Sequence, residues 1–193
     1  MAAFRAASSG ILLAASYLAF TTSDGRLADV STDPMRLVQV ARWKLRCDPE
    51  ATRRALSDVS VGSPERCSCE HCLNFAAARN QAYPSEALAI FEQLGIDSCK
   101  ESEIWHTHRD EFGLHHYGGF FHLVGVIESG KDAIQIVGGH GTFDLESIGS
   151  DFEFGFKSNP NAPAAPGPFK GKAVLRLEFQ TKVAWLLDSP EPK

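Results

Sequence analysis

The sequence predicts an α+β fold in which a pair of helices packs on a mainly antiparallel sheet. Two observations predict this class. Residues 70–94 have the breaks, caps and apolar spacing of two consecutive helices, whereas residues 104–127 and 172–187 have the pattern of strands. The chain has 193 residues, of which 44% are hydrophobic. It is therefore long enough for one sizeable core and short for two, and we expect a single domain.

The first 34 residues form a predicted N-terminal extension, disordered or cleaved, before an α+β domain at residues 35–188. Arg5 precedes an apolar run at residues 11–20 that resembles the apolar part of a signal peptide. No clean cleavage site follows, and the run is shorter than the ~20 residues that a membrane helix needs. We therefore expect no transmembrane span and a cytoplasmic protein, with secretion as the alternative if residues 1–22 act as a signal peptide.

The domain opens with a predicted strand over residues 35–47, where Trp43, Leu45 and Cys47 alternate with basic residues. The sequence Asp48-Pro49-Glu50 supplies an N-cap, a proline at the first helical position and an acid in the first turn, which predicts a helix to about Ser57. Residues 62–64 then predict a loop, because glycine and proline interrupt regular structure.

A pair of helices follows in the prediction. The residues after Cys69 favour a helix to about Gln81, and Tyr83-Pro84 ends it because proline biases its predecessor away from helical angles. Ser85 is the predicted N-cap of the second helix, and Gly95 is its predicted left-handed C-cap.

Strands make up the rest of the predicted domain. Residues 104–109 and 114–127 form a hairpin around a turn at residues 110–113, and Gly118-Gly119 marks a bulge or close packing. The remaining segments are a strand at 133–137, a glycine-rich turn at 138–141, a strand at 152–156, a proline-rich loop at 158–168 and a half-buried strand at 172–187.

The charge of the chain excludes a broad surface for nucleic acid. The formal net charge is -5 and the pI is near 5.8, whereas phosphate binding needs clustered Lys and Arg. Arg42, Lys44 and Arg46 alternate with apolar residues and fit the solvent face of a strand. Nucleic acid is therefore an unlikely partner, and a protein partner remains open.

Three cysteines lie within six positions, at Cys67, Cys69 and Cys72, where the first predicted helix of the pair begins. Thiolates at this spacing converge on one ion if the first two lie in an extended turn and the last in the first helical turn. Zn²⁺ prefers thiolate sulfur and takes four ligands in a structural site. The sequence therefore predicts a zinc site with three ligands in this stretch.

The fourth ligand of that site must come from elsewhere. Cys99 is the first choice, His71 is the main alternative, and Cys47 and a hairpin histidine are further candidates. The chain has five cysteines, an odd number that disfavours a secreted disulfide framework. Thiol redox chemistry and ordinary buried cysteines are the alternatives to a metal.

The stretch Cys67–Phe75 also resembles an uncharacterised bacterial protein family with a C-x-C-x-x-C-x-N-F motif. The resemblance covers roughly residues 40–187 and extends to Tyr83-Pro84, residues 94–97, Tyr117-Gly118-Gly119 with His122, residues 124–125, 177–179 and 184–187. No activity is established for that family. The resemblance implies one domain after an N-terminal extension and implies nothing about a substrate.

Six of the seven histidines follow residue 105, and several fall on the predicted hairpin. His106 and His108 share one face of a strand. A four-residue turn at 110–113 places His108 opposite His115 and His106 opposite Tyr117. These imidazoles suit a catalytic metal with an open position, and the alternative is an exposed face that is merely polar.

The sequence therefore predicts a zinc-binding protein whose metal is mainly structural and which acts as a binding or interaction module. One alternative is a metal-dependent hydrolase that uses the hairpin histidines with Glu103, Asp110 or Glu111. A second alternative is a thiol redox protein. A cysteine activated by histidine is a further possibility, but His71 and Cys72 are a poor pair because adjacent helical residues point about 100° apart.

Overall fold

The computed structural model describes residues 34–137, 140–158 and 167–192. They fold, as predicted, into an α+β domain with a mainly antiparallel sheet. The predicted extension lies outside the described residues except for Pro34. The helices are α1 (Pro49–Ser57), α2 (Ser63–Arg66), α3 (Glu70–Ala82) and α4 (Ser85–Leu94), with a short 3-10 helix at Gly167–Phe169. The strands are β1 (Arg36–Val40), β2 (Trp43–Cys47), β3 (Glu103–Arg109), β4 (His115–Ser129), β5 (Ile134–Val137), β6 (His140–Phe143), β7 (Glu146–Ile148), β8 (Phe152–Ser158) and β9 (Val174–Val183).

The 15-residue strand β4 lies at the centre of the main sheet. One of its edges pairs first with β3 and then with β2, and the other edge pairs with β9. The strand order is β1-β2-β4-β9-β8-β7, and β5 and β6 form a separate two-stranded sheet. The predicted hairpin of β3 and β4 is confirmed.

The helical pair packs on one face of this sheet and buries an aromatic core. Phe75 of α3 and Phe91 of α4 contact the rings of Phe121 and Phe179 on β4 and β9. Because side chains alternate along a strand, Val124 faces the other way, and α1 covers it in a smaller core. The sheet thus has packed helices on both faces, with the cysteine-bearing α3 on the larger core.

The single strand predicted over residues 35–47 is wrong, because the chain reverses at Ala41-Arg42 and forms the hairpin of β1 and β2. Alternation with a period of two continues through both strands, so the hydrophobic pattern does not mark the reversal. The turn uses a positive φ of 47° at Ala41, where no glycine or asparagine signals it.

The helix boundaries agree with the prediction at three of four sites. Asp48 caps α1 by accepting the backbone N–H of Ala51 at 2.8 Å, and α3 ends before Pro84. Gly95 adopts the left-handed conformation with φ 74° and lies against the carbonyl of Pro49, so both its angle and its lack of a side chain are needed. The predicted N-cap at Ser85 is wrong, because Ser85 is the first residue of α4 and Pro84 is the N-cap.

Later segments differ in detail. The loop predicted at residues 62–64 contains the single turn α2, and β9 ends at Val183 instead of 187. The glycine-rich turn and the proline-rich loop fall largely on residues 138–139 and 159–166, outside the described residues, and His140 already belongs to β6. Gly118 confirms close packing, since a Cβ there would lie 2.5 Å from the ring of Trp105.

The register of the histidine hairpin is partly as predicted. His106 pairs with Tyr117, but a bulge in β3 after His106 shifts the rest of the strand, so that His108 pairs with His116 and not with His115. The predicted pairing of His108 with His115 is therefore wrong. A bulge adds one residue to one strand and moves the following side chains to the other face.

Candidate metal centres

Three thiols meet where α2 leads into α3. Cys67 directly follows α2, Cys69 is the N-cap of α3, and Cys72 lies in its first turn. Their sulfur atoms all lie within 4.8 Å of one another, and those of Cys67 and Cys69 are 3.3 Å apart. Sulfurs that hold one tetrahedral zinc ion at about 2.3 Å are about 3.8 Å apart. Small side-chain shifts therefore suffice for this cysteine cluster to hold a metal.

The electrostatics of the cysteine cluster differ from one sulfur to the next. The backbone N–H of Cys69 donates to the Cys67 sulfur and lowers its thiol pKa. Burial, together with the two neighbouring sulfurs, raises the pKa of Cys72. One cation between the three would remove this mutual repulsion, and the positive end of α3 favours thiolate there.

The fourth ligands predicted from the sequence do not join this group. Among the described residues, no further cysteine, histidine or carboxylate has a ligand atom within 4.8 Å of all three sulfurs. Cys99 is exposed after α4, and Cys47 is buried in β2, where burial raises its pKa to about 11. His71 belongs to a different group. Ligation by Cys99 stays a prediction.

A second group of potential ligands lies on the other side of the same helical turn. His71 of α3 joins His106 of β3 and His115 of β4, each with a ring nitrogen within 4.8 Å of the others. The closest pair is His115 Nδ1 and His106 Nε2, at 3.1 Å. This histidine cluster is assembled from three elements that are distant in sequence.

The surroundings of the histidine cluster hold its rings in place. The Tyr117 hydroxyl donates to the His71 carbonyl at 3.0 Å, and the Trp185 ring packs against the rings of His71 and His115. Glu191 lies 3.6 Å from His115 Nε2. This distance is longer than a hydrogen bond, but it puts a carboxylate near the nitrogen that faces away from His106, where metal-binding histidines usually have a second partner.

Burial favours the neutral form of two of the three rings, and the rings are only partly oriented for one ion. Burial lowers the pKa of His106 to about 4, with a further contribution from the other imidazoles, and burial also lowers that of His115. Neutral rings keep a lone pair for a metal. The rings of His71 and His106 are stacked 3.9 Å apart with planes 3° from parallel, so one of them must rotate before both lone pairs meet at one ion.

The other hairpin residues predicted for catalysis lie apart from this cluster. His108 stacks on His116, with ring centroids 4.1 Å apart. The Asp110 carboxylate accepts the backbone N–H groups of Phe112 and Leu114 and contacts His116 Nε2 at 3.0 Å, so it stabilises the turn. Glu103 and Glu111 are exposed. The sequence predicts His71 only as an alternative ligand of the cysteine site and not as the third imidazole, because His106 and His115 are far from it along the chain.

Two further residues of the motif have structural roles that the sequence did not reveal. Asn74 is fully buried, accepts the N–H of Leu186 at 2.7 Å and donates to the carbonyl of Ala184 at 3.1 Å. Phe75 lies in the core. Asn74 thus attaches the segment that carries Trp185 to α3. The amide side chain supplies both the donor and the acceptor that this pair of contacts needs.

No protein-family model, curated protein or solved structure matches the chain. The resemblance to the family with the C-x-C-x-x-C-x-N-F motif therefore stays a prediction. Within the described ranges, no helix is long and apolar enough to cross a bilayer.

Proposed function

We propose that this protein is a zinc-binding protein in which Cys67, Cys69 and Cys72 hold a mainly structural Zn²⁺. The observation that carries the proposal is the convergence of three sulfur atoms within 4.8 Å at the start of a helix. Thiolate is a ligand that zinc prefers, whereas Mg²⁺ and Ca²⁺ prefer oxygen.

A metal at this position would fix the junction of α2 and α3. α2 has only four residues, too few to be stable alone. Its Glu65 contacts Arg79 of α3 at 2.6 Å, and Arg79 also contacts the buried Glu101 at 2.8 Å. The metal would add a second attachment at Cys67, directly after α2.

With three protein ligands, the fourth coordination position is free for water or for a group from a binding partner. Cys69 is exposed, so this position is accessible from solvent. This supports a role as a binding or interaction module for a protein partner. All five cysteines are free, which suits a reducing compartment such as the cytoplasm.

The test is the metal content of untagged protein purified without chelator. We expect one tightly bound zinc equivalent, lost in Cys67→Ser, Cys69→Ser and Cys72→Ser. Cys99→Ser is the matched control, because Cys99 is an exposed cysteine outside the cluster, and it should retain the zinc. Cobalt replacement should give the strong thiolate-to-metal absorption of a site with three sulfurs.

Well under one equivalent of zinc, together with unchanged folding in chelator, would overturn the proposal. A disulfide between Cys67 and Cys69 in protein purified without reductant, with no metal, would instead favour the redox alternative. Loss of zinc in Cys99→Ser would restore Cys99 as the fourth ligand and would exclude the open position.

The histidine cluster supports a second candidate function, a metal-dependent hydrolase. Three imidazoles with a carboxylate near one of them match the ligand set of a catalytic zinc that keeps an open position for water. Zinc at such a site lowers the pKa of its bound water to about 7 and so supplies hydroxide. This candidate replaces His108 with His71 in the predicted ligand set.

The test is the binding of a second metal equivalent. We expect zinc titration to load a second site that His71→Asn and His106→Asn abolish, with His108→Asn as the control on the same hairpin. Hydrolysis of 4-nitrophenyl acetate should depend on that second equivalent. A single equivalent of bound zinc in the wild type would exclude this candidate.

A further inference from the structure

A third site lies on the face of the sheet opposite the main core, away from both clusters. A cavity of about 520 Å³ opens there between β4, β9 and the residues before β3. Its walls include Ser102, Phe120, His122, Phe169 and Arg176. Cavities of roughly 300–1,000 Å³ with a few convergent polar groups are typical of small-molecule sites.

Two buried side-chain nitrogens of residues that line this cavity have no hydrogen-bond partner. His122 is only 4% exposed, and its Nε2 has no hydrogen-bond partner. Arg176 Nε also has no hydrogen-bond partner. His122 and Arg176 are direct neighbours across β4 and β9. A buried polar atom without a hydrogen-bond partner is unfavourable, so this pair of atoms indicates the position of a ligand.

The hydrogen bonds of Ser102 determine what His122 offers. The Ser102 Oγ accepts the backbone N–H of His122 at 3.2 Å and lies 2.8 Å from His122 Nδ1. The Ser102 hydroxyl hydrogen has no other acceptor among the described residues, so we infer that it donates to Nδ1, which puts the ring proton on Nε2. His122 and Arg176 then present two N–H donors with no acceptor.

The charges around the two donors favour an anion. Arg176 lies over the Phe120 ring at 4.1 Å, and its nearest carboxylate, Glu178, is 3.9 Å away. Burial raises the pKa of Glu178, which weakens its competition for the arginine. Arg66 and Lys100 add positive charge at the wall.

Two acidic residues also line the cavity. The Glu101 carboxylate is taken up by Arg79 and by the Tyr83 hydroxyl, so it is not free to face a ligand. Glu103 is exposed at the start of β3, where water screens its charge. The positive side chains at the cavity therefore outweigh the negative ones.

We propose that this cavity binds a small organic monocarboxylate. Its carboxylate accepts the N–H groups of His122 and Arg176, and its apolar body contacts Phe120 and Phe169. The aromatic walls exclude a fully hydrated anion, because they offer nothing to replace its water. A nucleophilic role for Ser102 is not supported, since no described carboxylate orients His122 through Nε2.

The test measures the binding of 3-phenylpropionate, the probe, to the full chain by NMR or calorimetry. We expect 3-phenylpropionate to bind at least tenfold more tightly than its amide, 3-phenylpropanamide, and at least tenfold more tightly than inorganic phosphate. Arg176→Met and His122→Gln should each weaken binding at least tenfold. Lys182→Met, a basic residue of β9 away from the cavity, should leave it unchanged.

Equal binding of the amide would overturn the proposal, because it removes the requirement for a negative charge. Tighter binding of phosphate would show that the ligand is not an organic carboxylate. No binding of 3-phenylpropionate would show that the cavity is not a carboxylate site. These comparisons use only the wild-type protein, so they decide the matter even if a variant fails to fold. The zinc content should be the same with and without the probe.

Discussion

The cysteine cluster and the histidine cluster lie on two sides of the first turn of α3, yet they are built in opposite ways. The cysteines come from six consecutive positions and are partly exposed, whereas the histidines come from α3, β3 and β4. Cys72 and His71 are adjacent, and the rotation of about 100° per helical residue sends them to different clusters. A local motif assembles one site, and the tertiary fold assembles the other.

The largest expected effect on stability tests the local site. Removal of zinc with a chelator should lower the free energy of unfolding by about 4 kcal/mol relative to protein in free zinc at a thousand times its Kd. Cys69→Ser in zinc should match the chelated wild type, whereas His106→Asn should stay close to the zinc-bound wild type. Urea unfolding with and without zinc measures this. If the free energy of unfolding were equal in zinc and in chelator, a metal at the cysteine cluster would not stabilise the fold, and the two clusters would not differ in this respect.

The second prediction concerns Asn74, which joins the helix to the C-terminal segment beside the histidines. Asn74→Ala should cost about 3 kcal/mol, because the N–H of Leu186 and the carbonyl of Ala184 each lose a buried partner. It should also weaken metal binding at the histidine cluster while zinc stays at the cysteine cluster.

Denaturant unfolding and metal titration of the same variant measure both effects. Asn80→Ala is the matched control, since Asn80 is an exposed asparagine of the same helix and its replacement should cost little stability. If Asn74→Ala released zinc from the cysteine cluster as well, the two clusters would be one cooperative site.

The sequence predicted the parts of these sites that depend on local rules. The cap at Asp48, the C-cap at Gly95 and the thiol spacing each follow from a few neighbouring residues. The bulge after His106 and the turn at Ala41 were missed, because alternation looks the same on either side of them. His71 was named only as an alternative ligand of the cysteine site and Glu191 was not identified, because their partners in the histidine cluster are far away in sequence.

The third prediction separates acid sensitivity of the fold from metal release. The pKa of His122 is lowered to about 4 by burial and by Arg176, from an ordinary value of 6.5. Since the folded pKa lies below the unfolded one, acid favours the unfolded chain. The stability contribution is complete above pH 6.5 and is lost as the pH falls toward 4.

For this one group the loss between pH 7 and pH 5 is about 2 kcal/mol. Metal-free protein should show it in urea unfolding at the two pH values, because neither cluster then holds an ion to release. His122→Gln should reduce the difference by about this amount and leave the share of His106, whose pKa burial also lowers to about 4, whereas His108→Asn should not reduce it. An unchanged pH dependence in His122→Gln would assign the acid sensitivity to the histidine cluster instead.

The smallest expected effect on stability belongs to Glu191, which contacts Arg109 at 2.8 Å and His115 at 3.6 Å. The side chain of Glu191 is 34% exposed, so Glu191→Gln should change the free energy of unfolding by no more than about 1 kcal/mol. Removal of a carboxylate behind a metal-binding histidine weakens metal affinity about 10- to 100-fold, and the affinity for the second zinc equivalent should fall accordingly.

Glu146→Gln, which removes another exposed partner of an arginine, is the control. Zinc titration monitored by a competing chelator measures both equivalents. If the second equivalent bound Glu191→Gln as tightly as the wild type, Glu191 would be only an ion-pair partner of Arg109, and the histidine cluster would lack the outer carboxylate typical of a catalytic zinc.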